Sequence, residues 1–378
     1  MLRRTACLLI LSVTFAVMAD QCHALSAPRA LSTSLLARPG VIHIQDRAEP
    51  LPGQQESCRQ RLSDRLPPPP IVEIRAPARG GTDRRFQPYT MALMQGAAAG
   101  RLSSDAAQRT IRLLVGWARA DALSQPLDAG AEASNTNALF SLKRALVPII
   151  SSYAVLRDHG SWSEADRALV RQWLSRLVPL AEAPTGAGAS RWQGRAVSNR
   201  NNHRYLTGSV LALWGALEGD PAIFDRAVRI YRDAIADLAP DGSWPLEMAR
   251  GDKALWYQRQ ALASLTVIAE TAAVQNIDLY GYRPGGVSLH DAVTFLLDRI
   301  DETGPGPSLD FLQRRGHGRH YMAWTAFYRK RFPDHANSRR LAALVEDAGV
   351  LIDDFVGVNA SCWTGLGPEG PVPGSDPS

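Results

Sequence analysis

The chain has 378 residues, 45% of them hydrophobic, and a formal net charge of +5. This length and apolar content are sufficient to bury a large core, as one domain with or without extensions. Because 42 basic residues stand against 37 acidic ones, the excess of positive charge is too small to predict a nucleic-acid partner.

The N-terminus has the three parts of a secretory signal peptide. Arg3 and Arg4 precede an apolar run over residues 7–19, and small residues follow from Ala24. A membrane-anchoring helix is the alternative, but the run is shorter than the about 20 residues that cross a bilayer. We therefore expect residues 1–24 to be a cleaved signal peptide. The mature protein is expected to be periplasmic or secreted, without a membrane anchor.

The segments on either side of the central part lack helical periodicity. Residues 25–85, with successive prolines at 67–70, are expected to form an extended N-terminal segment and possible lid. The Gly- and Pro-rich residues 361–378 are expected to be a disordered tail. Cys58 and Cys362 remain after signal cleavage, and in an oxidising compartment they form either one disulfide or two free thiols.

Between these ends apolar residues recur with helical spacing, and no strand is predicted. Ser163 with Asp166 forms a capping-box-like helix start, and Asp220 is an N-cap followed by a proline at the first helical position. About nine helices are predicted in total. One spans Leu142 to Tyr153, and the others begin near Ser103, Ser163, Tyr205, Asp220, Asp252, Ser288, His320 and Ser338.

Successive helix pairs of similar length, joined by short turns, predict the fold class. Gly160-Ser161-Trp162 and Gly242-Ser243-Trp244 each follow a helix, so similar turns recur along the chain. Many helical hairpins without strands must curve to bury their inner faces. We therefore predict an all-α fold, an incomplete α/α toroid over residues 86–360, with a plain helical bundle as the alternative. Such a toroid leaves an open groove that suits a long polymer.

The connection over residues 181–202 is long for a compact domain and has no helical period. It contains Arg191, Trp192, Arg195 and Arg200. Guanidinium groups pair with carboxylates, and an aromatic ring among them can stack on a sugar. We therefore predict that Trp192 and Arg195 contact an acidic polysaccharide, with a solvated basic loop as the alternative.

Asn201-Asn202-His203 closes this connection at a predicted helix start. A pair of asparagines in that position is often only a cap, and a single histidine is often structural. A second segment favours a site, because Arg250 precedes the next helix and Tyr257 lies one turn into it. Both side chains can face the same opening.

These side-chain types suit the removal of a proton next to a carboxylate, followed by protonation of a leaving oxygen. The C5 proton of a uronate is too weakly acidic to remove while the neighbouring carboxylate is ionised. Asn202 and His203 are suitable donors to neutralise that group. A tyrosine can act as base and acid, and a nearby cation such as Arg250 favours the phenolate. The pattern predicts β-elimination on a polymer of uronic acids.

Several motifs of the chain also occur together in a known family. They are Trp117-Ala118-Arg119-Ala120, Trp192-x-Gly194, Asn201-Asn202-His203-x-Tyr205, Gly242-x-x-Pro245-x-Glu247, Arg250 and Ala254-Leu255-x-Tyr257. With these motifs the chain resembles the bacterial periplasmic alginate lyases of polysaccharide lyase family five, over roughly residues 66–330.

The resemblance implies an incomplete α/α toroid and β-elimination of mannuronate-rich polymers, without a metal or cofactor, leaving unsaturated uronate ends. It implies that Asn202 and His203 neutralise the carboxylate, with His203 also a possible base. It further implies that Arg250 holds charge near the reacting centre and that Tyr257 is the acid and, for syn elimination, the base. A monomer is expected. Further candidates for substrate contact are Arg204, Tyr205 and Trp324.

Two departures from the family pattern bear on the sugar that is recognised. Arg204 and Leu206 stand where the family commonly has serine and tryptophan, and the segment at Gly81-Thr82-Asp83 lacks the family's lysine. Polyglucuronate or another acidic exopolysaccharide is therefore an alternative substrate.

Two other functions remain open. One is an inverting glycoside hydrolase that uses carboxylates such as Asp241 and Glu247. The other is a non-enzymatic scaffold that binds polyanions.

Overall fold

The computed structural model describes residues 58, 69–75, 82–125, 132–183, 197–303, 320–346 and 348–366. The predicted signal peptide lies outside the described residues, as does most of the predicted N-terminal segment and lid. The α-helices of the described part are α1 (Gln87–Gly100), α2 (Ser104–Arg119), α3 (Glu132–Leu156), α4 (Glu164–Ala181), α5 (Asn202–Glu218), α6 (Pro221–Ala236), α7 (Pro245–Met248), α8 (Ala254–Val274), α9 (Leu289–Thr303), α10 (Trp324–Arg331), α11 (Ala336–Leu344) and α12 (Ala360–Thr364).

Ten of these helices form five hairpins in two layers. The inner helices α1, α3, α5, α8 and α10 contact one another in that order, and each is followed by an outer helix: α2, α4, α6, α9 or α11. The sequence explains the layers, because a helix that is apolar all round is buried and a helix with one apolar face lies outside. Inner helix α8 buries every residue from Gln258 to Ala272. This arrangement confirms the prediction of an all-α, α/α-toroid fold.

The caps at two outer helices are those that the sequence predicts. The Ser163 hydroxyl accepts the Asp166 main-chain N–H at 3.0 Å, and the Asp220 carboxylate accepts two main-chain N–H groups at 2.9 and 3.0 Å. The helix predicted to begin near Asp252 starts two residues later. A 3-10 turn over Gly251–Lys253 comes first, and α8 begins at Ala254 without a side-chain cap.

One stretch of α3, Asn137–Leu156, is long and apolar enough to cross a membrane. Its apolar window is wholly buried inside the protein. This stretch is therefore a core helix, and core helices can be as long and apolar as membrane-spanning ones.

A short hairpin and a last helix lie between the first and last inner helices. Strands β1 (Ile352–Asp353) and β2 (Val358–Asn359) pair antiparallel, β2 contacts α1, and α12 contacts α10. The prediction that the chain has no strand is therefore wrong at this hairpin. The predicted tail is also wrong at its start, because α12 contains buried residues at 361, 362 and 364.

Cys58 and Cys362 form a disulfide with their Cα atoms 5.1 Å apart. Of the two possibilities that the sequence leaves open, the structure has the bridge. Both side chains are buried, with 1% and 3% of their surface exposed. The bridge fastens the N-terminal segment to α12 across a sequence separation of 304 residues.

We expect the double replacement Cys58→Ser, Cys362→Ser to lower the free energy of unfolding by about 2–5 kcal/mol, because the bridge restricts a long loop of the unfolded chain. Thermal unfolding measures this change. A reductant should lower the melting temperature of the unaltered protein and leave that of the double variant where it is. Equal melting temperatures for the two proteins would contradict the prediction.

Candidate active site

The N-terminus of α5 carries the asparagine pair, and the two residues have different surroundings. Asn201 is the cap, and its side-chain oxygen accepts the His203 main-chain N–H at 3.1 Å. Asn202 is fully buried; its main-chain N–H donates to Glu247 Oε1 at 2.7 Å and its Nδ2 donates to Gln260 Oε1 at 2.8 Å. Asn202 Oδ1 has no partner among the described residues. Asn201 Nδ2 likewise has no partner among the described residues, so each asparagine of the pair retains one unused polar atom.

The His203 ring is stacked on Phe140 of α3, with ring centroids 4.0 Å apart. Its Nδ1 is buried without a partner in the described part of the chain. Burial, together with the positive charges of Lys143 and Arg250, lowers the pKa of His203 to about 3. His203 is therefore a neutral imidazole at neutral pH. It can hydrogen-bond to a carboxylate, but it is a weak base in the free protein.

Arg250 and Tyr257 are in direct contact. The Arg250 guanidinium carbon lies 4.3 Å from the centroid of the Tyr257 ring, a cation–π geometry. Arg250 precedes the 3-10 turn at Gly251–Lys253, and Tyr257 is the fourth residue of α8. The predicted juxtaposition of an arginine just before a helix with a tyrosine in its first turn is present.

Glu247 links these two groups of residues. Its carboxylate accepts the Asn202 N–H, and its main-chain carbonyl accepts the Arg250 N–H at 3.0 Å. The side chain is fully buried, and burial raises its pKa to about 7, against the opposing effects of the Asn202 N–H and the Arg250 charge. The structure thus brings Asn202, His203, Arg250 and Tyr257 into one neighbourhood. Sequence reasoning gave Glu247 as part of a family motif and as a carboxylate of the hydrolase alternative, but it did not predict this link.

The two carboxylates of the hydrolase alternative have other partners. Asp241 lies in a turn and accepts the main-chain N–H and the hydroxyl of Ser243, at 3.0 and 2.7 Å. These hydrogen bonds lower the pKa of Asp241. Glu247 Oε1 binds the start of α5. Neither contact resembles an acid and a base on opposite sides of a glycosidic bond.

Two candidates for substrate contact, Tyr205 and Trp324, are buried, so these predictions are wrong, whereas substrate contact by Arg204 stays a prediction. Tyr205 is buried against Trp244, and its hydroxyl donates to the Arg200 carbonyl. Trp324 is fully buried in the core. Arg204 forms an ion pair with Asp233 of outer helix α6 at 2.6 Å. The other two predicted contacts, Trp192 and Arg195, lie outside the described residues.

Sequence reasoning missed the charged residues of α3 next to this site. Arg144 donates to Asp354 Oδ2 at 3.0 and 2.7 Å, and to the Thr82 hydroxyl at 3.1 Å. Lys143 is buried as well, with 4% of its surface exposed. The available signal was the pair of cations within an otherwise apolar helix.

The Arg144–Asp354 pair forms part of the lining of a pocket. Tyr321 is in its lining and contacts Trp256, the neighbour of Tyr257, at 5.5 Å between ring centroids. Burial raises the pKa of Asp353, which also lines the pocket. The remaining lining residues are Arg84, Gln87, Thr90, Met91 and Met94.

Comparison with known proteins gives a consistent result. The sequence model of the family described as alginate lyase matches residues 82–305. A polysaccharide lyase of Stenotrophomonas maltophilia is 30% identical over 232 residues, which cover 61% of this chain and 64% of the relative. An alginate lyase of Cobetia marina is 28% identical over 174 residues, covering 45% and 43%. The matched regions thus span less than two thirds of these relatives.

Solved structures share the fold. Alginate lyase A1-III from Sphingomonas species A1 superposes with a TM-score of 0.68 at 21% identity, covering 89% of this chain and 98% of that one. A variant of the same enzyme in complex with a tetrasaccharide has a TM-score of 0.68 at 20% identity, covering 91% and 99%.

The buried Glu247 generates a prediction about stability. Its pKa is raised in the folded state, so the folded protein binds the extra proton and loses stability as pH rises from about 4.5 to about 7. We expect Glu247→Gln to remove this loss. The variant should be more stable than the unaltered protein at pH 8 by up to about 3 kcal/mol, and the difference should shrink at pH 5.

Denaturant unfolding across this pH range measures the difference, and Glu164→Gln at an exposed position is the matched control. Parallel pH profiles for the unaltered protein and Glu247→Gln would show that this carboxyl group does not retain a proton on folding.

Proposed function

Since this chain belongs to the alginate lyase family, we propose that it cleaves a polyuronate by β-elimination and leaves an unsaturated uronate at the new chain end. One observation carries the proposal: the Arg250–Tyr257 stack lies in the same neighbourhood as a neutral His203 and an Asn202 whose amide is partly unused. These groups match the three requirements of the reaction, which are a base, an acid and a neutraliser of the carboxylate.

Each side chain has a role in the proposed reaction. Asn202 and His203 hydrogen-bond to the carboxylate of the reacting uronate, so the negative charge that develops on removal of the C5 proton is stabilised. The Tyr257 oxygen, as phenolate, takes that proton. The electron pair of the C5–H bond forms the C4–C5 double bond, and the C4–O bond breaks. The leaving oxygen then takes the proton from Tyr257.

The assignment of the base to Tyr257 rests on the state of His203. A group with a pKa of about 3 binds a proton weakly at neutral pH. Tyr257 instead has a hydroxyl that can accept and donate a proton, and its ring lies 4.3 Å from the Arg250 guanidinium carbon. We therefore assign the proton transfers to Tyr257 and the carboxylate contact to His203.

We propose a mannuronate-rich polymer as the first substrate to test. The departure at Arg204 bears little on the choice of sugar, because that side chain is paired with Asp233. Polyglucuronate remains the second candidate, and a panel of polyuronates followed by ultraviolet absorbance distinguishes the two.

We also propose that the protein is exported and acts as a monomer. The Cys58–Cys362 disulfide supports an oxidising compartment, in agreement with the signal-like sequence of residues 1–24. Among the described residues, the large hydrophobic side chain with an exposed surface is Val72. This supports a monomer, because stable association usually buries a contiguous apolar patch.

We expect Tyr257→Phe to lower the rate of double-bond formation by about 10²–10⁴-fold, because the variant has no group to carry the proton. His203→Ala should lower it by about 10²–10³-fold through the loss of one donor. Polymer binding should largely survive in both variants. Ultraviolet absorbance of the unsaturated product measures the rate, and calorimetric titration measures binding.

Tyr282→Phe is the matched control, because Tyr282 also lies beneath a guanidinium, with the Arg232 carbon 5.6 Å from its ring centroid. This control should retain full activity. If product forms at the normal rate without the Tyr257 hydroxyl, the proposed mechanism is wrong. Release of saturated reducing ends would instead indicate a hydrolase.

A further inference from the structure

Lys143 is unusual in this chain for both its type and its position. The sequence has 39 arginines and 3 lysines. Lys253 and Lys330 are exposed, whereas Lys143 lies on inner helix α3 with 4% of its surface exposed. A buried ammonium group is strongly destabilising unless it is paired, so its presence in the interior requires an explanation.

The neighbouring cation Arg144 is buried together with a counter-ion. Arg144 is equally buried, and Asp354 accepts two hydrogen bonds from its guanidinium. Lys143 has no such partner: none of the described residues forms a hydrogen bond or an ion pair with it. Burial lowers its pKa to about 8, the direction expected of an ammonium group without a counter-ion.

The surroundings of Lys143 also contain polar groups without partners. Lys143 is close enough to His203 for its charge to lower the pKa of that ring, and Phe140, one turn earlier on α3, stacks on the same ring. The buried Nδ1 of His203 and Oδ1 of Asn202 have no partner in the described structure. Arg250 contributes a second positive charge that acts on His203.

This neighbourhood therefore has a positive excess. The carboxylate at the start of α5, Glu247, already accepts the Asn202 N–H and has a pKa raised to about 7. Two cations, Lys143 and Arg250, act on the neutral His203 ring, and unused hydrogen-bonding atoms lie beside it. Such surroundings suit an anionic ligand.

We propose that Lys143 binds a carboxylate of the polyuronate in the cleft, next to His203, and that it selects acidic over neutral sugars there. The inference rests on the proposed function, which supplies the anion. A compact ammonium with three donors can pair with a carboxylate that also hydrogen-bonds to the imidazole. The substrate carboxylate then pairs with Lys143 in the way that Asp354 pairs with Arg144.

The test compares Lys143→Met with Lys143→Arg and with the exposed control Lys253→Met, which removes the same charge. We expect Lys143→Met to raise KM for polymannuronate by about tenfold to a hundredfold, the loss of one charge-assisted hydrogen bond. The change in kcat should be smaller. Lys143→Arg should recover part of the loss, and Lys253→Met should behave like the unaltered protein.

A binding measurement isolates the charge from the chemistry. In a Tyr257→Phe background, a saturated mannuronate tetrasaccharide and its carboxyl-reduced form are titrated by calorimetry. The protein with Lys143 should prefer the acidic tetrasaccharide, and Lys143→Met should lose about tenfold or more of that preference. Equal preference in both proteins would overturn the inference.

Stability separates this role from a structural one. Because Lys143 is buried without a described partner, Lys143→Met should melt at the same or a higher temperature. A lower melting temperature with unchanged KM would assign Lys143 to the core and overturn the inference. If Lys143→Met does not fold, Lys143→Gln takes its place in every measurement.

The two proposals fail in different ways. If the unaltered protein forms no unsaturated product from any polyuronate, the proposed function fails, and the tetrasaccharide titration alone decides the role of Lys143. If product forms normally and Lys143→Met has the KM of Lys253→Met, the lyase assignment stands and the carboxylate assignment of Lys143 is wrong.

Discussion

The candidate site depends on one hydrogen bond, from the Asn202 main-chain N–H to Glu247 Oε1. The first turn of a helix leaves main-chain N–H groups without helical partners, and here a carboxylate 45 positions later in the chain satisfies one of them. The same residue accepts the Arg250 N–H through its carbonyl. A single side chain thus holds the start of α5 beside the turn that precedes α8. Together with the hydrogen bond from Asn202 Nδ2 to Gln260 of α8, this link fixes the amide and imidazole relative to the arginine and tyrosine.

The toroid allows such a site because its inner helices begin at a common, polar end while their sides are fully packed. The sides of α5 and α8 are buried over nearly their whole length, so polar residues there need partners. At the ends, polar atoms of Asn202 and His203 remain without described partners. Unpaired buried polar groups are destabilising in the free protein. Asn202 and His203 carry such atoms on adjacent residues, and a ligand at the start of α5 can complete their hydrogen bonding.

The sequence predicts the fold well because the helical period is strong and the caps at Ser163 and Asp220 are local signals. It also predicts Asn202 and His203 as a pair, because they are adjacent residues at a predicted helix start. It fails for Tyr205, which follows His203 by two residues and therefore points to another side of the helix, since each residue turns by about 100°. The sequence does not show the ion pair of Arg204 either, because its partner Asp233 belongs to another helix. The disulfide could be proposed but not decided, because only the fold brings residues so far apart in sequence together.

The low pKa of His203 is a property of the free site, and it explains how a neutral ring can neutralise a carboxylate. Burial opposes protonation of the ring most, and the charges of Lys143 and Arg250 add to it in the free protein. A bound carboxylate reverses that balance, because its negative charge favours the imidazolium and both cations at once. The substrate would therefore strengthen the hydrogen bond that it accepts from His203. The same positive charges therefore serve to bind the uronate and to activate it. A neutral sugar in the same position would be neither bound nor activated by them.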